Sequence, residues 1–375
     1  MKAVVLVGGE GTRLRPLTYS TPKQLLPVAQ VPMLERVLAQ LASHGIDEAV
    51  LSLGYRPDAF LAAYPEGVAA GVRLQYAVEP EPLDTAGAIR FAARACGVDQ
   101  TFVVVNGDVL ADTDVSSLVD FHRRRSAAAT IALTAVDDPF HFGVVPTDGD
   151  GRVLAFVEKP PPGEAPTDRI NAGTYVLEPE VLDSINVGRR VSIERETFPL
   201  LVEAGTLFAM DCPGYWLDTG TPLAFLRANA DAVRGVRGPV PAPGATEIEA
   251  GVWVLGSATI DGEVRAASLI GDAVSIGSGA TVVDSVIGAG AQIERGAVVE
   301  GSVLFAGARV GVGSSVRGSI MGHRSVVGPE ALVEELSVIG DDVFVTAGAR
   351  LRDARVGAQG AATVAEEGGR PCAPW

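Results

Sequence analysis

The sequence predicts two architectures in series: an α/β domain on a mainly parallel sheet, then a stack of short parallel strands. Three observations predict this. Strand-like and helix-like segments alternate over about the first 235 residues, a Pro/Gly stretch follows, and the remainder repeats with a period of 17 residues.

The alternation begins with Ala3 to Val7, a short apolar run ending in Gly8-Gly9, which suits a buried first strand. Met33 to Leu41 carries Met33, Leu34, Val37, Leu38 and Leu41 at helical spacing. Ala49 to Leu53 is strand-like and Asp84 to Cys96 suits a helix. Thr101 to Val105 is a β-branched run that ends at Asn106-Gly107-Asp108. Strands alternating with helices imply a parallel sheet covered on both faces. Ligands of such sheets bind where strands end and loops begin, so Gly107-Asp108 lies where chemistry is expected.

Gly235 to Gly244 holds Pro239, Pro241 and Pro243 and reads as a linker, set at residues 236–250. Beyond it, Ser268, Ser285, Ser302 and Ser319 recur every 17 residues, and Ser337 follows at 18. Within each unit the apolar positions step by six: Ile270, Ile276 and Val282, then Ile287, Ile293 and Val299, and so on to Ile339, Val345 and Leu351. Three six-residue steps describe a triangular coil with one inward apolar residue per edge. The pattern resembles the hexapeptide-repeat left-handed parallel β-helix and assigns it residues 251–356, with 357–375 as a tail. An ordinary β-sandwich has no reason to keep five units in register.

Composition narrows the function. The 375 residues are 47% hydrophobic and 20% charged, as in globular chains. A net charge of −16 excludes a broad nucleic-acid surface, so any phosphate substrate must be held by a local cluster of cations and a metal. Cys96, Cys212 and Cys372 fit neither a zinc site nor a closed disulfide framework, which points to a reducing, cytoplasmic setting. No apolar stretch approaches a membrane span, so no membrane partner is expected.

The loop after the first strand, Val7-Gly8-Gly9-Glu10-Gly11-Thr12-Arg13-Leu14, can turn backbone N–H groups toward phosphate oxygens. No Gly-Lys-Ser/Thr closes it as a P-loop, and Leu14 stands where a dinucleotide fingerprint needs glycine. Taken alone it reads equally as a tight strand-to-helix turn. Further on come Pro22-Lys23-Gln24-Leu25-Leu26-Pro27, Asn106-Gly107-Asp108, Phe156-Val157-Glu158-Lys159-Pro160, Asn171-Ala172-Gly173 and Trp216-Leu217-Asp218-Thr219-Gly220. In this order the set resembles the sugar-1-phosphate nucleotidyltransferases, over about residues 1 to 235. Ser192-Ile193-Glu194 and the appended repeat resemble the mannose-1-phosphate guanylyltransferase branch.

The resemblance implies a Rossmann-like catalytic domain, residues 1–235, that joins a nucleoside triphosphate to a sugar 1-phosphate and releases pyrophosphate. It implies that Asp108 and Asp218 hold Mg²⁺, that Arg13 braces the β- and γ-phosphates, and that Lys23 sits at the α-phosphate. Lys159 would grip the sugar phosphate, with Glu158 and Asn171 on sugar hydroxyls. Further substrate contacts are implied at Gly8, Gly9, Gly11, Thr12, Glu79, Gly107 and Gly173. The chemistry is consistent with a chain that has four scattered histidines and no Ser-His or His-Asp constellation. A phosphate monoester has its second pKa near 6, so roughly nine-tenths is dianionic at pH 7 and no strong general base is needed.

Glu79, in Val78-Glu79-Pro80-Glu81-Pro82-Leu83-Asp84, matches the family's base-recognition segment. A carboxylate only accepts hydrogen bonds, and guanine offers N1–H and N2–H₂, so Glu79 favours GTP. Asp84 stands where the family usually has glycine. Mannose 1-phosphate is the favoured sugar; glucose 1-phosphate with thymidylyl or adenylyl transfer, a cyclitol phosphate, and a non-catalytic scaffold paralogue are the alternatives. Trp216 reads equally as core or ligand contact, and His323, within the repeat, as a surface residue. The open ends of a coil stack need covering, so a homo-oligomer, most simply a dimer, is expected through residues 251–356.

Overall fold

The structure, a computed structural model, describes residues 1–357. The predicted tail, 357–375, lies outside the described residues except for Gly357. The described residues form two compact units: Met1–Glu10 with Met33–Leu217, and Gly11–Pro32 with those from Asp218 onward. Compactness therefore divides the chain differently from a linear boundary at residue 235.

The first unit is an α/β layer structure. Its central strands Val72–Val78, Glu48–Leu53, Lys2–Leu6 and Phe102–Asn106 lie side by side in that order, all parallel. Arg169–Leu177 continues the sheet antiparallel to Phe102–Asn106. Ala3, Val4 and Val5 are all fully buried, as expected of a strand covered on both faces. Helices Met33–Ser43, Asp84–Ala95 and Val115–Arg125 connect the strands, and Val4, Val50, Val104, Ile131, Tyr175 and Phe198 share one core. The first strand, Lys2–Leu6, has Glu48–Leu53 on one side and Phe102–Asn106 on the other. Strand order thus reverses between Lys2–Leu6 and Phe102–Asn106, and the carboxyl ends of these two strands mark the crevice where such sheets bind ligands. The chain leaves this unit along Trp216–Asp218, which pairs with Val109–Ala111.

The second unit holds the parallel β-helix, whose strands form three parallel ladders. Ile270, Ile287, Leu304, Met321 and Ile339 form one inward column, and Val282, Val299, Val316 and Val333 another, all at most 1% exposed. The serine repeat has a specific cause. Ser302 Oγ accepts the Ser319 N–H at 3.1 Å and donates to Glu300 O at 2.8 Å; Ser285 bridges in the same way, and Ser319 Oγ donates to Arg317 O. The hydroxyls of Ser285 and Ser302 thus couple each coil to the next while satisfying their own polar atoms. The last spacing is 18 because Glu335 and Leu336 form a left-handed bulge before Ser337, whose hydroxyl still reaches the next coil at Ala354 N.

One part of the predicted linker is not a linker. Thr246–Glu249 is a strand, antiparallel to Val252–Val254 at the start of the stack. All four of its residues are exposed, so its sequence lacks the half-buried alternation that reveals a strand. It covers an otherwise open backbone edge.

Candidate active site

In the first unit, the two strand ends at the switch point approach closely. Gly107 N–H donates to Leu6 O at 2.9 Å, and a Cβ on Gly107 would stand 2.7 Å from Val7 Cγ1. Only glycine fits there, and it brings the half-buried Asp108 beside the Gly8-Gly9 loop. Gly8 in turn packs on Gly54 and lies next to the Glu79 carboxylate.

Glu79 is less free than its sequence position implies. Ser52 Oγ donates to Oε1 at 3.1 Å, and Leu83 N–H donates to Oε2 at 3.0 Å. The carboxylate ties the 79–83 turn to the sheet, and each oxygen keeps further lone-pair capacity for a ligand. Asp84 adopts a left-handed φ of 61° at the start of the next helix, a conformation glycine takes without cost. Its Oδ1 accepts from Thr85 N–H at 2.8 Å.

The Asn171-Ala172-Gly173 segment owes its shape to a bulge in Arg169–Leu177, where the register against Ala129–Ala135 shifts between Asn171 and Tyr175. Asn171 Oδ1 accepts from Gly173 N–H, and its Nδ2 donates to Tyr175 Oη, both at 2.9 Å. The amide keeps one N–H and one lone pair for substrate. Gly173, at φ 76°, lies against the Asn106 side chain, so the Asn171-Ala172-Gly173 segment and the Asp108 loop touch. Burial holds the Tyr175 phenol far above its ordinary pKa, reinforced by the negative charges of Glu194, Glu158 and Asp108. Trp216 donates from Nε1 to Ala172 O at 3.0 Å and sets its ring edge-on to Phe142. It is a brace for this loop, which the sequence left undecided. Ser192-Ile193-Glu194 docks on the helix at Thr85: Thr85 Oγ1 donates to Glu194 Oε2 and accepts from Ile193 N–H, both at 2.8 Å. Sequence reasoning gave these residues no physical role. Glu158 and Lys159 are ion-paired at 3.7 Å, and Lys159 sits at a positive φ of 52°.

The second unit carries the other motif residues. Gly11, at φ 62°, is pressed against Thr18 and Lys23, where a Cβ would lie 2.9 and 3.0 Å from their side chains. Thr12–Leu14 then forms one 3₁₀ turn and sends Arg13 outward. Asp218 gathers the cations: Arg13 is 3.6 Å from Oδ2 and Lys23 is 3.7 Å from Oδ1. Gly220 N–H donates to Asp218 Oδ1 at 2.8 Å and fixes the carboxylate. Gly220 must be glycine, because a Cβ would press on the Arg13 guanidinium and Asp218.

Among the described residues, no group of three or more His, Cys, Asp or Glu forms a ready-made metal cage. Mg²⁺ does not need one: one or two carboxylates, waters and substrate phosphates complete its octahedron. Asp108 and Asp218 are hard oxygen donors of the required kind, and Asp218 Oδ2 carries no hydrogen bond from its own Gly220 turn. The donor chemistry fits. His122 belongs to a different context: it is buried, bonded to Thr130 and Glu178, and its pKa is lowered by that burial. His323 packs its ring 5.0 Å from Phe305.

The family model described as Nucleotidyl transferase matches residues 2–235, more than half of the chain, and the one described as GMPPB C-terminal domain matches residues 261–363. The chain belongs to the nucleotidyl transferase family. Among its relatives, the mannose-1-phosphate guanylyltransferase of Mycobacterium tuberculosis is 48% identical over 242 residues, covering 64% of this chain and 66% of that protein. The mannose-1-phosphate guanyltransferase of Candida albicans is 44% identical over 232 residues, covering 60% of this chain and 63% of that protein. The alignments thus span less than two thirds of these relatives. Among solved structures, a putative glucose-1-phosphate thymidylyltransferase from Bacillus anthracis in complex with a sucrose superposes with a TM-score of 0.56 at 27% identity, over 61% of this chain and 94% of that one. HddC from Yersinia pseudotuberculosis complexed with GMP-PN gives 0.53 at 28%, over 61% and 97%. The family generally uses a divalent metal. No helix among the described residues is long and apolar enough to cross a membrane.

Proposed function

We propose that this protein transfers the guanylyl group of GTP to mannose 1-phosphate, giving GDP-mannose and pyrophosphate. The observation that carries the reading is the division of charge: Arg13 and Lys23 converge on Asp218, while Lys159 pairs separately with Glu158. Such a set suits in-line displacement at the α-phosphorus, where the protein positions two anions and neutralises charge. The sugar phosphate attacks as a dianion, held by Lys159; no side chain need remove a proton. Lys23 steadies the α-phosphate and Arg13 the departing pyrophosphate. Mg²⁺, held by Asp108 and Asp218, would supply Lewis-acid neutralisation of the phosphate oxygens. Gly8, Gly9, Gly11, Thr12 and Gly107 would meet the nucleotide through backbone, and Glu158, Asn171 and Gly173 the sugar.

The two relatives named for mannose 1-phosphate and guanylyl transfer support these substrates. Glu79 supports guanine as a pure acceptor. The test is product identification: GTP, mannose 1-phosphate and Mg²⁺ should give GDP-mannose and equimolar pyrophosphate by anion-exchange chromatography and mass spectrometry. Turnover of other pairs only would move the assignment to the thymidylyl, adenylyl or cyclitol-phosphate alternatives, and no turnover with any pair to the scaffold reading. We further propose a cytoplasmic homodimer that uses exposed parts of the β-helix, supported by its open coil ends; light scattering that reports a monomer at micromolar concentration removes the assembly.

A further inference from the structure

The segment Gly11–Pro32 carries both cations assigned to the triphosphate, yet it has little structure of its own. It contains three single 3₁₀ turns, Thr12–Leu14, Leu17–Tyr19 and Lys23–Leu25, and a two-plus-two hairpin of Pro27–Val28 and Val31–Pro32. Its Leu14, Leu17, Leu26, Val28 and Ala29 are nevertheless at most 1% exposed. A chain this irregular cannot bury such residues against itself; something else must supply the surface.

The helix Pro222–Val233 meets Pro27–Val28, and one corner of the β-helix takes Pro16, Ser20 and Gln30. Residues 271, 288, 305, 322, 340 and 357 stack above one another, each placed just after the inward residue of the first edge. Five are glycine and one is Phe305. Coil packing itself excludes a side chain at Gly271, Gly288 and Gly322, where a Cβ would crowd the next coil. At Gly340 the nearest atoms to a Cβ belong instead to Pro16, at 3.2 Å, and at Gly357 to Pro16 again, at 3.3 Å. Ser20 Oγ donates to Asp341 Oδ2 at 2.6 Å on the same coil as Gly340. At the far end of the segment, Gln30 Nε2 donates to Ile287 O at 3.0 Å, and its Oε1 lies beside Gly271. Midway, Phe305 meets the ring of Phe225, at 6.1 Å. The Phe225 helix reaches back through the buried Asn229, whose Oδ1 accepts from Ala29 N–H at 2.7 Å. The segment therefore lies along the stack, with Pro16 and Ser20 on the last coils and Gln30 on the first.

The first edge of the coil adds an independent sign. Its outward residues Leu269, Val286, Val303, Ile320 and Val338 are in register and at most 4% exposed, although they point away from the coil interior. The outward residues of the second edge include Gln292 and Arg309, both exposed. One side of the prism is built to be covered.

From this geometry we propose that the β-helix is a positioning element for catalysis: its glycine corner holds segment 11–32 straight, so that Arg13 and Lys23 keep the spacing a triphosphate requires. The proposal rests on the nucleotidyl-transfer reading. It makes Pro16, Ser20 and Gln30, with Gly340 and Asp341, positioning residues that touch no substrate.

The test uses full-length protein with Ser20→Ala/Gln30→Ala combined, Gly340→Val as a wedge against Pro16, and Asp341→Asn, whose Oδ1 can still accept from His323 N–H while its Nδ2–H donates to Ser20 Oγ, which keeps its own bond to Leu17 O. In the double variant kcat/KM for GTP should fall roughly tenfold, while KM for mannose 1-phosphate stays within about twofold. Amides 12–26 should exchange faster with deuterium, and those of Val298–Glu300 should not. Gly340→Val should exceed the double variant in both readouts, and Asp341→Asn should resemble wild type. If Gly340→Val does not fold, the double variant carries the test. Wild-type GTP kinetics with unchanged exchange overturns the proposal, and so do equal losses for both substrates with a lowered melting temperature. If wild type makes no nucleotide sugar at all, the functional reading fails on its own, and the exchange measurement still decides whether the corner holds the segment.

Discussion

Lys23 and Lys159 are the two lysines proposed to meet a phosphate, and the protein holds them in opposite ways. The Lys23 side chain is 5% exposed, lies in a segment packed against Gly11 and Thr18, and is neutralised by Asp218. The Lys159 side chain is 61% exposed, sits on a left-handed backbone position and pairs with Glu158 at the same 3.7 Å that separates Lys23 from Asp218, but in contact with solvent. A buried ammonium is tolerated only with a partner and a fixed geometry, whereas an exposed one can swing to meet its ligand. On the proposed roles, the difference teaches which substrate would meet a rigid frame. The triphosphate, where bonds to phosphorus would be made and broken, would meet preorganised charge, and the acceptor an adjustable clamp.

The comparison breaks most readily at the carboxylate that organises the rigid side. Asp218→Asn should lower kcat by about a hundredfold or more, because it removes a charged metal donor and the counter-ion of Lys23 together. Asp108→Asn should lose activity to a similar order through the metal alone. Steady-state turnover across a Mg²⁺ titration checks both, and near-wild-type rates at limiting Mg²⁺ would remove the metal assignment.

The two sides separate next through Arg13→Ala and Lys159→Ala. The first should reduce kcat and GTP use together, and the second should chiefly raise KM for the sugar phosphate, each by roughly tenfold to a hundredfold. Initial rates with each substrate varied show the split, and the reverse pattern would exchange the roles.

How much of this was legible in the sequence differs between the two regions for physical reasons. The β-helix was readable nearly to the residue, because an inward apolar position every six residues is a strict geometric requirement. Its outward ladder, Leu269 to Val338, stands in the same sequence directly after each serine, but the repeat alone does not say that this outer face is covered, because that depends on contacts distant in sequence. The strand–helix alternation and the ends at Gly8 and Asp108 were likewise readable. The division of the chain into units was not: nothing in the composition of residues 11–32 says that they belong with the coil, since the signal lies in contacts with Gly340, Asp341 and Ile287 more than 250 positions away. The Thr85–Glu194 bond was equally hidden, because its partners are separated by 109 positions.

Glu79→Gln sharpens the nucleotide side at a smaller scale. An amide offers one acceptor oxygen, so it cannot accept from both Ser52 and Leu83 as the carboxylate does. The 79–83 turn should loosen, and the preference for GTP over the other triphosphates should fall several-fold, as measured by competition between nucleotides. An unchanged preference would limit Glu79 to holding the turn. Smallest for catalysis is Ser302→Ala. It strands the buried Ser319 N–H and should cost about 1–3 kcal/mol of stability, with KM values unchanged. Chemical denaturation and kinetics on the same sample check both halves.

The most direct test of the central claim is a matrix of kcat/KM for four nucleoside triphosphates against mannose and glucose 1-phosphates, read as pyrophosphate release in the presence of Mg²⁺. The account predicts the highest value for GTP with mannose 1-phosphate, at least about tenfold above any other pair. A maximum at another pair would contradict the guanylyl and mannose assignment, and a matrix empty throughout would contradict nucleotidyl transfer itself.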